Sequence, residues 1–127
     1  MAKESVANYG KPVTFNSGDM IYQSDFLVGD PSVFLILDGE VEVIKKYTPL
    51  QKEIFRYKKG GLFGMLEVYT GTVRLTAARA ATDVRAIGFS RVEFERAMVA
   101  NLNFALSAIR ELSRLLRQIN SRLKELH

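Results

Sequence analysis

The fold class is decided by the stretch Val33-Phe34-Leu35-Ile36-Leu37-Asp38-Gly39-Glu40-Val41-Glu42-Val43-Ile44. Apolar and β-branched residues of this kind are typical of strands. The Asp38-Gly39 pair between the two apolar runs tolerates the positive φ angles that tight turns require. The sequence therefore predicts two strands joined as a β-hairpin at Gly39.

Turn residues recur on both sides of this predicted hairpin. They lie at Ser17-Gly18-Asp19, Gly29-Asp30-Pro31, Thr48-Pro49 and Lys59-Gly60-Gly61. Their spacing of about 8 to 12 residues is typical of all-β folds, and Glu53–Tyr57 and Val84–Phe89 are predicted as further strands. We expect an antiparallel β-roll of the jelly-roll type, a double-stranded β-helix, over about residues 13–90 of a single domain, 1–127.

The texture changes after Ser90, a candidate helix N-cap. Residues 91–126 contain no Gly or Pro, and good helix formers dominate, so one long C-terminal helix is predicted there. The predicted fold class is thus mainly β with a C-terminal α-helix. Phe104, Ala108 and Leu115 form one apolar stripe that is suited to docking this helix on the roll.

A second apolar row on this helix repeats every 3.5 residues, which is the period of a coiled coil. Its members are Leu102, Ile109, Leu116 and Leu123 at a positions and Ala105, Leu112, Ile119 and Leu126 at d positions. The pattern predicts a homodimer through the C-terminal helix. The alternative is that this row, too, packs on its own domain.

Composition excludes several kinds of chemistry. The chain has no cysteine, and its one histidine is the final residue, so thiol catalysis, disulfides and Cys/His metal sites are excluded. We expect neither an enzyme nor a metal site. The formal net charge is +4, and acidic Glu111 and Glu125 interrupt the basic stripe of the helix, which argues against direct nucleic-acid binding. No apolar run is long enough for a membrane span, so a cytoplasmic protein is expected.

Three stretches together resemble the cyclic-nucleotide-binding domain family, the β-roll of catabolite-activator-type sensors. They are Phe15-Asn16-Ser17-Gly18-Asp19-Met20-Ile21-Tyr22, the residues from Phe34 to Val43, and Gly61-Leu62-Phe63-Gly64 followed by Arg74. The resemblance implies that residues 63–77, the cassette, hold a cyclic phosphate. In that family, amides of a short helix and an arginine contact the phosphate, and Gly64 and Arg74 stand at the matching places.

The site residues that the resemblance implies are Gly64, Met65, Leu66, Glu67, Arg74, Leu75 and Thr76. Two of them depart from the family pattern. Met65 stands where the family has a glutamate that accepts the ribose hydroxyl, and Leu75 stands where it has Ser or Thr. Each lost hydrogen bond costs roughly 1 to 3 kcal/mol, so binding is expected to weaken by about two to four orders of magnitude. Neighbouring Glu67 does not share a helix face with position 65, and Thr76 points to the opposite strand face from Leu75.

The expected function is a regulatory module that binds cAMP, cGMP or another small anion and couples it to the dimer helix. Asn120 and Ser121 are candidate contacts to the base, or else polar residues beside a coiled coil. Two alternatives remain open. One is a ligand-independent dimerisation scaffold whose pocket is filled by Met65 and Leu75, with Arg74 paired to a carboxylate such as Glu67. The other is the sensor part of a transcription regulator that lacks its DNA-binding domain.

Overall fold

The computed structural model describes residues 6–23, 32–70 and 76–126. Within these ranges the elements are β1 Lys11–Phe15, β2 Met20–Tyr22, β3 Val33–Asp38, β4 Val41–Thr48, β5 Gln51–Tyr57, β6 Leu62–Phe63, α1 Met65–Thr70, β7 Ala77–Ala80, β8 Val84–Phe89, α2 Arg91–Ala100 and α3 Leu102–Leu126. The predicted turn at Gly29-Asp30-Pro31 lies outside the described residues.

The strands form two four-stranded antiparallel sheets. The first has the order β1-β8-β3-β6 and the second has the order β2-β7-β4-β5. Strands distant in sequence are therefore neighbours in space, as in a β-roll. The predicted fold class, a β-roll followed by a C-terminal helix, is confirmed.

The predicted hairpin at Gly39 is wrong in its pairing, although the turn is present with a φ of +98° at Gly39. Strand β3 pairs with β6 and β8, whereas β4 pairs with β5 and β7, so the turn carries the chain from one sheet to the other. Ile36 and Val41, on either side of it, are both buried between the sheets. The two apolar runs are therefore alike because both are buried in the same interior, not because they pair with each other. The hairpin in this region joins β4 to β5 after Thr48.

Two hydrophobic clusters hold the domain together. The interior cluster lies between the sheets and includes Ile36, Val41, Val43, Phe55, Tyr57, Phe63, Leu66, Val84, Leu115 and Ile119. The helix cluster lies between the outer face of the first sheet and the helices and includes Val33, Leu62, Met65, Val68, Ile87, Phe89, Phe94 and Ala108. Alternate side chains of β8 enter alternate clusters, as the two-residue period of a strand requires.

The predicted single helix is interrupted at Asn101, whose backbone is extended. The Asn101 side-chain oxygen accepts a hydrogen bond from the Phe104 amide, which makes it the N-cap of α3. At the other end of α2, Ser90 and Glu93 form a reciprocal capping box, which confirms the predicted cap. The break was not predicted because asparagine lacks the helix-stopping signature of Gly or Pro.

Two glycines with positive φ offer a matched test of the sheet-to-sheet turn. A Cβ at Gly39 would lie 2.2 Å from the Asp83 carbonyl oxygen, whereas one at Gly18, at φ +92°, would meet no atom within 4 Å. We expect Gly18→Ala to cost about 1–2 kcal/mol from backbone strain, and Gly39→Ala to cost about 1–3 kcal/mol more from the added clash. Urea unfolding measures both variants; equal losses would contradict the packing at Gly39.

Candidate functional site

The cassette begins where β6 turns into α1. Gly64 adopts a φ of +88° between the two elements. Before it, Phe63 stacks on Phe34 at 5.1 Å between ring centroids and lies 6.3 Å from Tyr22 and 6.2 Å from Tyr57. The glycine thus lets a short helix start directly after a strand that is anchored in an aromatic core.

Met65 is part of the core between the roll and the helices. Only 4% of its surface is exposed, and it belongs to the helix cluster with Val68, Phe89 and Phe94. Its role in lining or filling a ligand pocket stays a prediction. Met65 and Val68, three residues apart, lie on one apolar face of α1, and both are buried in the helix cluster.

Glu67 faces the opposite way from Met65 and is 1% exposed. One of its carboxylate oxygens accepts hydrogen bonds from the Thr76 amide at 2.9 Å and the Thr76 hydroxyl at 2.8 Å. The Tyr22 hydroxyl lies 3.3 Å from the same Thr76 hydroxyl. The carboxylate therefore ties α1 to the segment that enters β7, across the cassette.

Glu67 was predicted as a site residue, but not as a replacement for the family's glutamate at position 65, because the two positions share no helix face. Glu67 does lie on a different face of α1 from Met65, and that face is turned toward Thr76. An acidic residue amid the otherwise apolar run from Leu62 to Val68 was the signal that marked a buried polar contact. Thr76 was predicted as a site residue, and its hydroxyl is engaged by this carboxylate.

Leu66 connects the cassette to the C-terminal helix. Its side chain is buried in the interior cluster together with Phe63 of β6 and with Leu115 and Ile119 of α3. Helix α3 therefore closes the interior of the roll beside the cassette. Arg74 and Leu75, the other two predicted site residues, lie outside the described residues.

The two predicted rows of α3 take different positions. The a row remains largely exposed, at 71% for Leu102, 59% for Ile109, 45% for Leu116 and 39% for Leu123. In the d row, Ile119 is buried in the interior cluster and Leu112 packs against both clusters, so these two side chains lie against their own roll. Ala105 is half-buried, and the side chain of Leu126 is not among those described.

The predicted docking stripe is confirmed, since Ala108 and Phe104 contact the helix cluster and Leu115 the interior cluster. Asn120 and Ser121, the candidate base contacts, are both exposed. Asn120 lies four residues beyond Leu116 and three before Leu123, so it borders the exposed a row. The position of Asn120 agrees with the second predicted role, a polar residue beside that row.

Tyr57 links the interior cluster electrostatically to α3. Burial raises its pKa from 10.0 to about 12, and the nearby Glu111 carboxylate acts in the same direction while Arg114 opposes it. Both charged residues belong to α3. The phenol is therefore held protonated at the place where the helix closes the roll.

Comparison with known families decides the classification. Residues 12–101 match the sequence model of the family described as Cyclic nucleotide-binding domain. This chain belongs to the cyclic nucleotide-binding domain family. The resemblance drawn from the sequence is thereby confirmed.

Solved structures share the fold of this family member. The catabolite activator protein of Thermus thermophilus matches with a TM-score of 0.79 and 19% identity over 98% of this chain and 58% of that chain. A transcriptional regulator from Thermotoga maritima matches with a TM-score of 0.76 and 14% identity over 99% of this chain and 98% of that chain. The regulatory subunit of a cAMP-independent protein kinase A from Trypanosoma brucei matches with a TM-score of 0.67 and 21% identity over 89% of this chain and 40% of that chain.

At these identities the likeness establishes the fold alone, and the chain spans only 58% of the length of the Thermus protein. A comparison with curated proteins gave no match. Across residues 6–23, 32–70 and 76–126, no helix combines the length and apolar character needed to cross a membrane.

The raised pKa of Tyr57 predicts a defined loss of stability in alkali. The unfolded phenol ionises near 10.0 and the folded one near 12, so its contribution is complete below pH 10 and is lost as the pH rises toward 12. That loss amounts to about 2–3 kcal/mol. We expect urea unfolding of Tyr57→Phe to show a decline over this range that is smaller by this amount than in the unsubstituted protein.

Tyr69→Phe is the comparison variant. Burial and a hydrogen bond to Glu95 also raise the pKa of Tyr69 to about 12, but its side chain is 42% exposed, so solvent screening is expected to make its effect on stability smaller. An equal flattening of the pH profile in both variants would contradict a special role for burial at Tyr57.

Proposed function

We propose that this chain is a non-enzymatic, cytoplasmic regulatory module. It binds a cyclic nucleotide or another small anionic ligand at the cassette, and the bound state alters the position of α3, through which two copies pair. The observation that carries the proposal is the interior cluster, because Phe63 and Leu66 of the cassette are buried in the same cluster as Leu115 and Ile119 of α3.

The shared cluster supports coupling between ligand and helix. Packed interiors rearrange between discrete states and do not deform continuously. A ligand that shifts α1 would move Leu66, which belongs to the same buried cluster as Leu115 and Ile119 of α3. Ligand binding and helix position are then linked free energies, and each influences the other equally.

Family membership and the predicted role of Arg74 support an anionic ligand. The thioether of Met65 is at best a weak acceptor for a ribose hydroxyl, and the Glu67 carboxylate already accepts hydrogen bonds from Thr76. We therefore expect cyclic nucleotides to bind more weakly than in relatives that keep the glutamate. Another small anion is an equal candidate, because the fold also occurs in a regulatory subunit described as cAMP-independent.

The exposed a row of α3 supports pairing with a second copy. Four large aliphatic side chains at heptad spacing face solvent along a single line, which is the arrangement that a parallel helix pair covers. Leu106, Ser113 and Asn120 flank this line on the side away from the roll.

Two other functions fit particular observations. A ligand-independent dimerisation scaffold is favoured by the packing of Met65 into the core and the internal pairing of Glu67 with Thr76. The sensor part of a transcription regulator is favoured by the Thermus and Thermotoga structures, which are transcription regulators or an activator by name. In neither case does the described chain need to contact nucleic acid itself.

The ligand proposal is tested by calorimetric titration with cAMP, cGMP and cyclic dinucleotides. We expect saturable binding of at least one, weakened roughly 10- to 150-fold by Arg74→Gln, because a charge-assisted contact contributes about 1.5–3 kcal/mol. Arg79→Gln is the control, since Arg79 is exposed and pairs with Glu42 on the sheet surface. Flat titrations with all of these nucleotides and with inorganic phosphate would overturn sensing and favour the scaffold.

The dimer proposal is tested by sedimentation velocity. The double variant Ile109→Asp/Leu116→Asp places two charges in the exposed row, and we expect it to convert a dimer to monomers without loss of helix content. Val99→Asp is the control, because Val99 is 90% exposed on α2, outside the row. If the unsubstituted protein sediments as a monomer at high concentration, pairing through α3 is wrong.

A further inference from the structure

A groove runs between the turn at residues 58–61 and helix α3, outside the roll. It consists of two adjoining cavities of about 340 Å³ and about 280 Å³, which share Gly60, Leu62 and Ser107 in their walls. We call it the side groove. Among the described residues, none from 63–70 and not Thr76 lines it, so it is separate from the cassette.

One end of the side groove is apolar. Its walls include Leu35 and Leu37 of β3, Leu62 of β6 and Phe104 of α3. Leu35 and Leu37 face outward because Ile36 between them is buried inside the roll. This cavity lies within the usual size range of small-molecule sites, roughly 300–1,000 Å³.

The other end of the side groove is basic. Arg110 and Arg114 line it one helical turn apart, with Glu111 between them. Glu111 pairs with Arg114, and Arg110 reaches the Ser107 hydroxyl at 3.5 Å. Lys59 borders the apolar cavity, so three cations meet one carboxylate along the groove. Guanidinium groups present planar donor pairs that match a carboxylate or a phosphate.

We infer that the side groove binds a free single-chain amphipathic anion. Its aliphatic chain lies between Leu37, Leu62 and Phe104, and its carboxylate or phosphate head contacts Arg110 and Arg114. The charge of the basic end and the apolar surface of the other end select both parts of such a molecule. The groove has the roll on one side and α3 on the other, and its length suits a single chain.

This site stays open when α3 pairs with a second copy. Arg110 and Arg114 lie about 100° or more around the helix from the exposed row that contains Ile109 and Leu116. Because the ligand is held between the roll and α3, it stabilises one position of the helix. The inference does not depend on the proposed cassette ligand and is tested separately from it.

The test uses octanoate and octyl phosphate below their micelle-forming concentrations, with n-octanol and inorganic phosphate as the two half-ligands. Calorimetry on the full chain is expected to show one saturable site for each amphipathic anion, at least about tenfold tighter than for either half-ligand. Equal affinity for octanol, or for phosphate alone, would overturn the inference, as would the absence of binding.

Variants locate the site. We expect Arg110→Gln/Arg114→Gln to weaken both amphipathic anions about tenfold or more and to leave octanol unchanged. Arg117→Gln/Lys124→Gln removes the same charge from exposed positions of α3 outside the groove, and it should change affinity less than about twofold. Ser107→Trp fills the shared wall at an exposed position and should abolish binding. Equal effects of the two double variants would overturn the inference.

Two further arms separate this site from other sources of binding. Competition by cAMP or cGMP would place the octyl group in the cassette and overturn the inference, whereas additive heats support it. Co-sedimentation of the protein with vesicles of phosphatidylcholine and phosphatidylglycerol, lost in the Arg110→Gln/Arg114→Gln variant, would assign the groove to a membrane surface and overturn a free ligand.

Discussion

The packing of Phe63 is the constraint on which the rest of the domain depends. Its ring stacks on Phe34 from the first sheet and approaches Tyr22 and Tyr57 from the second, so one side chain joins both layers of the roll. It also stands immediately before Gly64 and α1. The cassette therefore starts from a residue anchored in the aromatic interior, and α3 closes the same interior with Leu115 and Ile119.

Much of the fold follows from local patterns. Turn residues at regular spacing gave the strands of the roll, and the heptad spacing after Asn101 gave α3. Two features did not follow. The Gly39 turn joins two sheets, because pairing partners are chosen by burial across the whole chain and not by proximity in sequence. The break at Asn101 depends on a single side chain that caps α3, and asparagine also occurs within uninterrupted helices.

The candidate site was predicted by position, and position does not fix which way a side chain points. The places of Gly64 and Glu67 within the cassette follow from the family resemblance. Met65 enters the helix cluster while Glu67 faces Thr76, and this is determined by the rotation of a six-residue helix about its axis, which its contacts establish. In α3, too, the rotation of the helix about its own axis decides which side chains are buried: Ile119 lies against the roll and Ile109 is exposed.

Because the backbone is extended at Asn101, the rotation of α3 about its axis does not continue that of α2. Along an unbroken helix each added residue turns everything downstream by about 100°. Here α3 starts afresh from its own cap, and its rotation is set by the side chains that it lays on the roll. Length changes in α2 can thus accumulate during evolution without swinging Ile109 and Leu116 away from a partner, which leaves the first helix free to diverge while the second keeps its orientation.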